Sequence, residues 1–507
     1  MGWARVVLAL VAAVAAGALL LSGGSGADPR TPPGVPGEPS PFLGTAVVGD
    51  GGLTAAIDSY GDVVDLRVPG PAGRALIDNP AARQAAGSVP AETGIVPWVS
   101  VDGGAARPLW TADSVEQRYR RGSNVVVTTA RFGEERVRIV YATDRSRLAC
   151  LTEKGPGARV QLRSREPKAK RRLECDSEAA RGTIRAAERR DRRWLRRAQP
   201  LAAAAPAWAV AMYERSLLIL RALTDRRSGA VAAGARDGWA YVWPRDAATA
   251  AIAFAAAGYR SEARRTTGFL LGLGLDQAAR FHGDGSPVPG RPAQGDAIGW
   301  VAAAAKAAGL IGSARHAARI LSPAYPVPWR GRADYQEGEP GNYLANALAS
   351  GERGRSILLR FGSDGGLARG TERESGFDAA AAWAVRPFRR PGLTALAQRT
   401  LDVLATEGDR FGILPGQDWG GGRDPWSAPT AWTAWSLAAL AREDSSSQRA
   451  ADRRLALRLL ADLRRAATPA GTLPERVGYR TGIPTSTTPL AWSHAFAILA
   501  LRELWSN

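Results

Sequence analysis

The chain is poor in the residues that build metal and thiol sites. Its 507 residues include two cysteines, Cys150 and Cys175, and three histidines, His282, His316 and His494. The cysteines fit no metal-ligand spacing, and the histidines lie far apart along the chain. These absences argue against a histidine-rich metal site and against a cysteine nucleophile. We therefore predict neither a bound metal nor a cofactor.

The two cysteines leave one question open. In an exported protein they could form a single disulfide, because such bonds persist in oxidising compartments. Two unpaired thiols are an equally good interpretation of the sequence.

Lysine is scarce as well. It occurs only at positions 154, 168, 170 and 306, so arginine supplies most of the 67 basic residues and most of the net charge of +19. A basic balance can indicate a nucleic acid or an anionic envelope surface as partner. A compositional bias that replaces Lys and Ile by Arg and Ala explains it without any partner. No DNA- or RNA-binding pattern is visible, and we predict no nucleic-acid partner.

The N-terminal residues have the pattern of an export segment. Arg5 precedes the apolar run 6–21, which is slightly short for a spanning helix. We expect residues 1–21 to be either a cleaved signal peptide or a membrane anchor, followed by a Pro- and Gly-rich spacer at 22–41. The expected location is therefore secreted or anchored on the extracytoplasmic face, with possible membrane attachment through this segment.

Residues 42–176 have the pattern of an antiparallel β-sandwich. Alternating segments at 53–58 and 63–68 flank a turn at 59–62, and three further segments follow at 124–130, 136–141 and 147–152. Residues 177–203 then change to a charged pattern, which predicts a solvated linker helix between two domains.

Residues 204–507 have a helical pattern with little strand signal. Ala-rich periodic segments predict about twelve helices, at 206–225, 244–258, 261–275, 294–309, 312–321, 341–350, 353–361, 376–385, 392–406, 427–442, 447–467 and 489–504. If these helices form a double ring, alternate loops meet at one end. Such a cluster of loops is where a functional site is expected.

One of these helices begins next to a group of aromatic and charged residues. Tyr241 and Trp243 stand beside Arg245 and Asp246. Aromatic rings stack on the apolar face of a sugar, and charged groups bond its hydroxyls. The simpler interpretation is a helix N-terminus with Asp246 in its first turn.

Two loop glutamates are candidates for acid–base chemistry. Glycoside hydrolysis needs one protonated and one ionised carboxyl group on either side of the bond. Glu475 precedes a long loop and the last helix, and Glu337 lies in the acidic loop Asp-Tyr-Gln-Glu-Gly-Glu that begins at Asp334. The alternative for each is a solvated surface glutamate.

Several motifs together resemble one family. Four segments are similar to motifs of family-15 glycoside hydrolases, the glucoamylase-like enzymes. They are Tyr-Val-Trp-Pro-Arg-Asp ending at Asp246, Gly-Arg-Pro-Ala-Gln-Gly-Asp ending at Asp296, the stretch from Gly412 to Trp426, and Leu-Pro-Glu ending at Glu475 with the later Pro-Leu-Ala-Trp-Ser-His. Residues 48–62 also resemble the start of the sandwich in bacterial members. The resemblance covers nearly all of the chain after the spacer.

The resemblance implies a β-supersandwich followed by an (α/α)6 barrel at 204–507. It also implies exo-acting, inverting release of a terminal glucosyl residue, with Glu475 as base and Glu337 as acid. The substrate-binding residues it implies are Tyr241, Trp243, Arg245, Asp246, Arg291, Asp296, Asp418, Trp419, Trp426 and Trp492.

The sequence departs from the family pattern near both carboxylates. Gln336 replaces a tryptophan beside the acid, and Gln417 replaces a glutamate before Asp418. Arg476 replaces a glutamine after Glu475, and a cation there favours the charged form that a base needs. The acid loop is divergent, so Glu339 or Glu374 could serve in place of Glu337.

Three hypotheses follow for function. The first is an exported inverting α-glycosidase acting on α-glucans or oligosaccharides. The second is a glycan-binding envelope protein of the same fold that has lost catalysis, and the third is an envelope scaffold attracted to acidic polymers.

Overall fold

The computed structural model describes residues 46–77, 94–236, 238–310, 330–371, 375–443 and 448–506. The predicted export segment and spacer, the predicted helix at 312–321, and the alternative acid Glu374 lie outside the described residues.

The described chain as far as Cys175 is built mainly of strands. They are β1 Ala46–Gly49, β2 Thr54–Ile57, β3 Val63–Val68, β4 Arg74–Ile77, β5 Val96–Val101, β6 Arg107–Pro108, β7 Ser114–Tyr119, β8 Val126–Phe132, β9 Glu135–Thr143, β10 Leu148–Lys154, β11 Ala158–Arg163 and β12 Leu173–Cys175. They form a four-stranded sheet β1-β2-β3-β4, a five-stranded sheet β12-β10-β9-β8-β7 and a three-stranded sheet β11-β5-β6. Neighbouring strands run antiparallel except β10 and β12, which are parallel.

The turn predicted at 59–62 connects β2 to β3. The N–H of Asp58 donates to the Asp62 carbonyl at 2.9 Å, and Gly61 takes a φ of +81°, which glycine adopts without strain. Alternation along β7 buries Val115 and Gln117 and exposes their neighbours, the pattern of a strand with one buried face.

The structure settles the question of the two cysteines. Cys150 in β10 and Cys175 in β12 are directly opposite each other in the parallel pair, with Cα atoms 4.5 Å apart, and they form a disulfide. The bond ties the edge strand β12 to the sheet just before the chain enters the helical region.

Twelve described α-helices occur in the chain. They are α1 Pro167–Lys170, α2 Glu178–Leu195, α3 Ala207–Ala222, α4 Pro244–Ala256, α5 Arg260–Leu271, α6 Ala297–Ala307, α7 Leu344–Ala349, α8 Gly354–Phe361, α9 Thr394–Glu407, α10 Ser427–Glu443, α11 Gln448–Ala466 and α12 Ala491–Trp505. A short strand pair, β13 Gly362–Ser363 and β14 Gly366–Leu367, interrupts them. The segment predicted as a helix at 376–385 is a 3-10 helix over Ala379–Ala384, and Pro387 soon after it cannot continue a helical ladder.

The helix α2 differs from the solvated linker that its charge predicts. Ser177 caps its N-terminus by accepting from the N–H of Ala180 at 3.0 Å. One face buries Ile184 and Ala187 against the five-stranded sheet, while the arginines cover the other face. On its other side Asp191 accepts from Arg221 Nη1 of the helix Ala207–Ala222 at 2.8 Å, so α2 contacts both the sheet and the helical region.

The helical region has buried helices surrounded by amphipathic ones. Helix α4 is buried from Pro244 to Phe254 and α10 from Ser427 to Ala441, which is expected of helices that lie inside a protein. Close packing depends on small residues. A Cβ on Gly299 of α6 would come within 1.9 Å of the Ala349 carbonyl oxygen, so only glycine fits there.

The sheets and the helical region meet through backbone contacts. The N–H of Gly283 donates to the Ala72 carbonyl at 3.1 Å, and the N–H of Arg226 donates to the Gly51 carbonyl at 3.2 Å. Turns of the four-stranded sheet thereby hold loops of the helical region. Within the described ranges, no helix is both long enough and apolar enough to cross a membrane.

Removal of the disulfide gives a stability prediction. We expect the double variant Cys150→Ser with Cys175→Ser to lose about 3 kcal/mol of unfolding free energy, because the closed loop of roughly 25 residues no longer restricts the unfolded chain. Urea denaturation followed by circular dichroism measures the loss. The urea denaturation curve of the variant should not change when a reductant is added. A variant curve identical to that of the oxidised wild type would contradict the prediction.

Candidate functional site

A cavity of about 150 Å³ lies where the buried helices begin. Arg245 and Asp246 belong to the first turn of α4, Trp426 immediately precedes α10, and Trp492 lies in the first turn of α12. Because these helix N-termini meet at one end of the helical region, loops that are distant in sequence share one concave site.

Arg245 is the buried cation at the base of the cavity. Its Nη1 donates to Gln294 Oε1 at 2.7 Å and to Asp296 Oδ2 at 3.0 Å, and its guanidinium lies 4.5 Å from the ring centre of Trp492. Burial would lower the pKa of Arg245, but Asp296 and Asp246 outweigh it and raise the pKa. The site therefore keeps a permanent positive charge.

Asp246 beside it has a different protonation behaviour. Its side chain is 5% exposed and lies 3.8 Å from Arg245 Nη2. Burial raises the pKa of Asp246 to about 7, with Glu475 and Asp296 adding to the effect and Arg245 opposing it. Near neutral pH this carboxyl group can therefore either donate or accept a hydrogen bond.

The segment that carries Glu475 is held from several sides. The N–H of Leu473 donates to His494 Nε2 at 2.9 Å, and Ser493 Oγ donates to the Pro474 carbonyl at 3.1 Å. Ser486 Oγ donates directly to Glu475 Oε2. The Glu475 side chain is 17% exposed, so it is positioned but still accessible from the cavity.

His494 is neutral in this arrangement. Its Nε2 accepts from a backbone N–H, so Nδ1 carries the proton and donates to Ser216 Oγ at 2.9 Å. The pKa of His494 is lowered to about 3, mainly by burial and also by the nearby charge of Arg215.

Glu337 enters the cavity from a strained backbone position. Its φ is +57°, a left-handed conformation that is uncommon for a residue other than glycine. The carboxylate accepts from Trp243 Nε1 at 2.9 Å and from Gln294 Nε2 at 3.2 Å, and it forms an ion pair with Arg291. All three contacts stabilise the ionised form of Glu337, which is opposite to what a general acid needs at rest.

A buried network beneath the cavity fixes that backbone position. The carbonyl of Asp334 accepts from the N–H of Glu337 at 3.0 Å, and its Oδ1 accepts from the N–H of Gln336 at 3.0 Å. Arg369 binds both carboxylate oxygens of Asp334 at 3.1 Å. It also lies 3.6 Å from Asp418, so one guanidinium joins two loops of the site.

Gln336 occupies the position where the family pattern has tryptophan. Its Nε2 donates to Asp378 Oδ2 at 2.9 Å and to Tyr335 Oη at 3.2 Å. Tyr335 Oη in turn lies 2.8 Å from the Pro415 carbonyl oxygen, to which it donates. Burial raises the pKa of Asp378 to about 8, and Asp334 adds to the effect. A polar network thus replaces an aromatic wall at this place.

The structure brings most of the residues selected from the sequence into one cavity. Of the selected residues, those that line it are Trp243, Arg245, Asp246, Arg291, Glu337, Trp426, Glu475 and Trp492. Four others lie elsewhere. Asp296 lies beneath Arg245, Asp418 contacts Arg369, Trp419 packs 5.1 Å from the ring centre of Trp426, and Tyr241 faces a neighbouring cavity of about 750 Å³. The alternative acid Glu339 is exposed outside the cavity.

Sequence patterns did not identify several residues of this site. Trp239 and Tyr335 line the cavity, Gln294 binds both Arg245 and Glu337, and Ser486 binds Glu475. Gln294 and Tyr335 lie inside segments that the family resemblance had already marked, so these two could have been found. Ser486 lies in a polar loop with no such signal. No group of His, Cys, Asp and Glu in the described ranges of the chain is arranged to hold a metal ion.

Comparison with solved structures finds the same fold in a bacterial glucoamylase crystallised with acarbose. The two chains are 12% identical, the match covers 95% of this chain and 96% of the other, and the TM-score is 0.67. A wild-type glycosidase is 21% identical, with a TM-score of 0.47, and the match covers 58% of this chain and 96% of the glycosidase. The glucoamylase of Saccharomycopsis fibuligera is 13% identical, with a TM-score of 0.47, and the match covers 60% of this chain and 97% of that glucoamylase. No protein-family profile and no curated protein matches the sequence.

The fold is therefore that of a class of glycosidases. More particularly, it is glucoamylase-like, as the resemblance to family-15 glycoside hydrolases predicted. At 12% identity this likeness shows the fold alone, and the roles of individual residues stay predictions.

The buried histidine gives a prediction for stability against pH. The folded-state pKa of His494 is about 3, below its ordinary 6.5, so its contribution to stability is complete above pH 6.5 and is lost as the pH falls from there. We expect His494→Gln to remove on the order of 3 kcal/mol of this acid-side loss between pH 7 and pH 4. Denaturation midpoints between pH 7 and pH 4 measure it. The matched control is the exposed His282→Gln, and equal slopes in wild type and His494→Gln would contradict the prediction.

The network beneath Glu337 gives a second prediction. Arg369→Met leaves Asp334 and its neighbours as buried carboxylates without their cation, so we expect a loss of about 3 kcal/mol or more. Hydrogen exchange at residues 335–337 should accelerate in parallel. Arg389→Met removes the exposed pair with Glu443 and should cost at most about 1 kcal/mol. Unchanged exchange at 335–337 in Arg369→Met would show that this guanidinium does not hold the loop.

Proposed function

We propose that the protein is an exo-acting, inverting α-glycosidase that removes terminal glucosyl residues from α-glucans or oligosaccharides. The observation that carries the proposal is that Glu337 and Glu475 line one small cavity together with tryptophans and Arg245. Two carboxyl groups facing one sugar-sized space are what glycoside hydrolysis requires. A cavity of about 150 Å³ suits a single terminal sugar unit better than an internal stretch of chain.

In this proposal the helices of residues 204–507 form an (α/α)6 barrel, and the preceding strands form the β-supersandwich of bacterial members. The likeness of fold to a bacterial glucoamylase over 95% of the chain supports both assignments. The site then lies where the loops of the buried helices meet.

Each residue at the base of the cavity has a proposed binding role. Trp492 and Trp243 present apolar ring surfaces to the sugar, and Arg245 and Asp246 bond its hydroxyl groups. Since Asp246 has a pKa of about 7, it can match either a donor or an acceptor hydroxyl. Arg245 is already fixed by Gln294 and Asp296, so little ordering is needed when the sugar binds.

Glu475 is the proposed base. Ser486 and the backbone bonds of residues 473–475 hold it toward the cavity, where it would take a proton from the water that attacks the anomeric carbon. Its neighbour Arg476 lies 3.9 Å away.

Glu337 is the proposed acid, and it must gain a proton before it can act. Its resting contacts with Arg291, Trp243 and Gln294 oppose protonation, so Arg291 has to move away when substrate enters. Loss of that ion pair leaves two neutral donors and makes the protonated form more accessible.

The same observations favour a second candidate function, which is binding of a glycan without cleavage. A carboxylate held by three donors and a polar Gln336 in place of an aromatic neighbour both weaken the case for an efficient acid. This alternative keeps the sugar contacts of Arg245 and Trp492.

We also propose that the protein works outside the cytoplasm, either secreted or anchored to the extracytoplasmic face of the membrane. The disulfide between Cys150 and Cys175 supports this location, because such bonds persist mainly in oxidising compartments. The apolar run at 6–21 supports export on sequence grounds.

Carboxamide substitutions test the mechanism. We expect Glu475→Gln and Glu337→Gln each to lower kcat by about 10²-fold to 10⁴-fold on maltooligosaccharides, isomaltose or trehalose, because each removes one proton-transfer step. NMR of the first product should show the inverted anomer.

The matched control is Glu339→Gln, since this side chain lies in the same loop but outside the cavity, and its kcat should equal that of the wild type. Full activity in Glu475→Gln would overturn the proposed mechanism. Binding of these sugars by calorimetry with no turnover by the wild type would select the binding-only alternative.

A further inference from the structure

Two arginines occupy neighbouring positions on one hairpin, and one of them, Arg291, lines the cavity. The N–H of Ala279 donates to the Arg291 carbonyl at 3.2 Å, and the N–H of Val288 donates to the Arg280 carbonyl at 2.9 Å. The hairpin is docked on the aromatic segment through the bridge between Phe281 and Val242. Arg280 and Arg291 are thus held side by side by the backbone.

Arg280 is a stacked guanidinium without an acidic partner among the described residues. Its Cζ lies 4.8 Å from the ring centre of Tyr241 and 5.6 Å from that of Trp243. Its described hydrogen bond is a long one, 3.4 Å to the Gly238 carbonyl, and its Nε is buried with no partner in the described ranges of the chain. The contacts with the two rings hold the guanidinium in place, so an anion that reaches its Nη groups would meet a positioned cation.

Arg291 lines the cavity and remains 44% exposed. Burial lowers the pKa of Arg291, and the nearby positive charge of Arg280 lowers it further. Arg291 has Glu337 as its ion-pair partner and Glu475 nearby, whereas Arg280 has no carboxylate partner among the described residues, so Arg280 adds an unpaired positive charge to this side of the mouth. A site that keeps two like charges together is stabilised by an anion from outside.

From these observations we propose that the mouth binds an anionic group of the glycan, a carboxylate or a phosphate ester, through Arg280 and Arg291. The inference rests on the proposed function, because it assumes that the cavity holds a sugar unit. The cavity itself takes one terminal unit, so the anionic group belongs to the next unit, outside it. Arginine pairs bind carboxylate and phosphate oxygens in bidentate geometry, which neutral hydroxyls cannot reproduce.

Binding of such a group also acts on the proposed acid. An anion that takes Arg291 frees Glu337 from its ion pair and leaves it with Trp243 and Gln294 as neutral donors. Substrates that carry the anion would therefore be bound more tightly and would also restore Glu337 to a state that can accept a proton. Neutral glucans have no anion to compete for Arg291, so they would displace it from Glu337 less completely.

Calorimetry on the full chain with Glu475→Gln, which prevents turnover, tests the inference. The probes are maltose, maltobionate and maltose 1-phosphate, which share a terminal glucosyl unit; the second unit is a neutral ring in maltose, an open-chain carboxylate in maltobionate and a phosphorylated ring in maltose 1-phosphate. At about 50 mM salt we expect at least one anionic probe to bind about tenfold or more tightly than maltose. The difference should shrink as salt is raised.

Variants locate the effect. Arg280→Gln should abolish most of the preference for the anionic probe while leaving maltose binding unchanged. The matched control is Arg423→Gln, because Arg423 also stacks on a ring, that of Tyr479 at 5.0 Å, but does not belong to the hairpin that carries Arg291. The control should keep the full preference.

The outcomes separate the two proposals. Equal affinity for all three probes would overturn the anion site and leave sugar binding intact. No binding of any probe would overturn the proposed function as well. Inorganic phosphate binding as tightly as maltose 1-phosphate would overturn the glycan component of the inference, and preference for only one probe identifies the group as carboxylate or phosphate.

Discussion

The site depends on one buried charge. Arg245 is 4% exposed, and a guanidinium removed from water is costly unless carboxylates and other acceptors surround it. Asp296 and Gln294 supply those acceptors from a loop about fifty residues further along the chain, and the ring of Trp492 covers its face from the last helix. The contacts that compensate this one buried cation therefore bring three distant segments together and define the base of the cavity.

A second cation has a similar role in the layer beneath. Arg369 joins Asp334 to Asp418, and through Asp334 it determines where the backbone places Glu337. The two arginines have different consequences. Arg245 faces the cavity and can contact a ligand, whereas Arg369 lies beneath the loop and acts only through the residues it holds.

Much of the architecture could be predicted from local sequence. The hairpin at 59–62 and the helices near 244–258 and 427–442 were visible because periodicity and turn chemistry are local properties. The fold class was visible through ordered motifs rather than through composition. These motifs also placed Glu475, Glu337 and Arg245 in one group, and the structure brings all three together.

The remaining features depend on contacts that sequence patterns do not encode. Tyr241 and Trp243 are two residues apart, yet their rings face different cavities because the segment between them pairs with the hairpin at Phe281. Pairing of Cys150 with Cys175 follows from the parallel register of two strands, which nothing in their spacing specifies. The ion pair on Glu337 likewise follows from the position of a hairpin and not from its own loop.

The backbone contact between Gly283 and Ala72 has a consequence for how the protein is built. The hairpin that carries Arg280 and Arg291 has its tip attached to a turn of the four-stranded sheet, while its base forms the mouth of the cavity. The four-stranded sheet therefore helps to position one wall of the site, in addition to being linked to it through the chain. Insertions or deletions in the turn between β3 and β4 would therefore change the width of the cavity mouth.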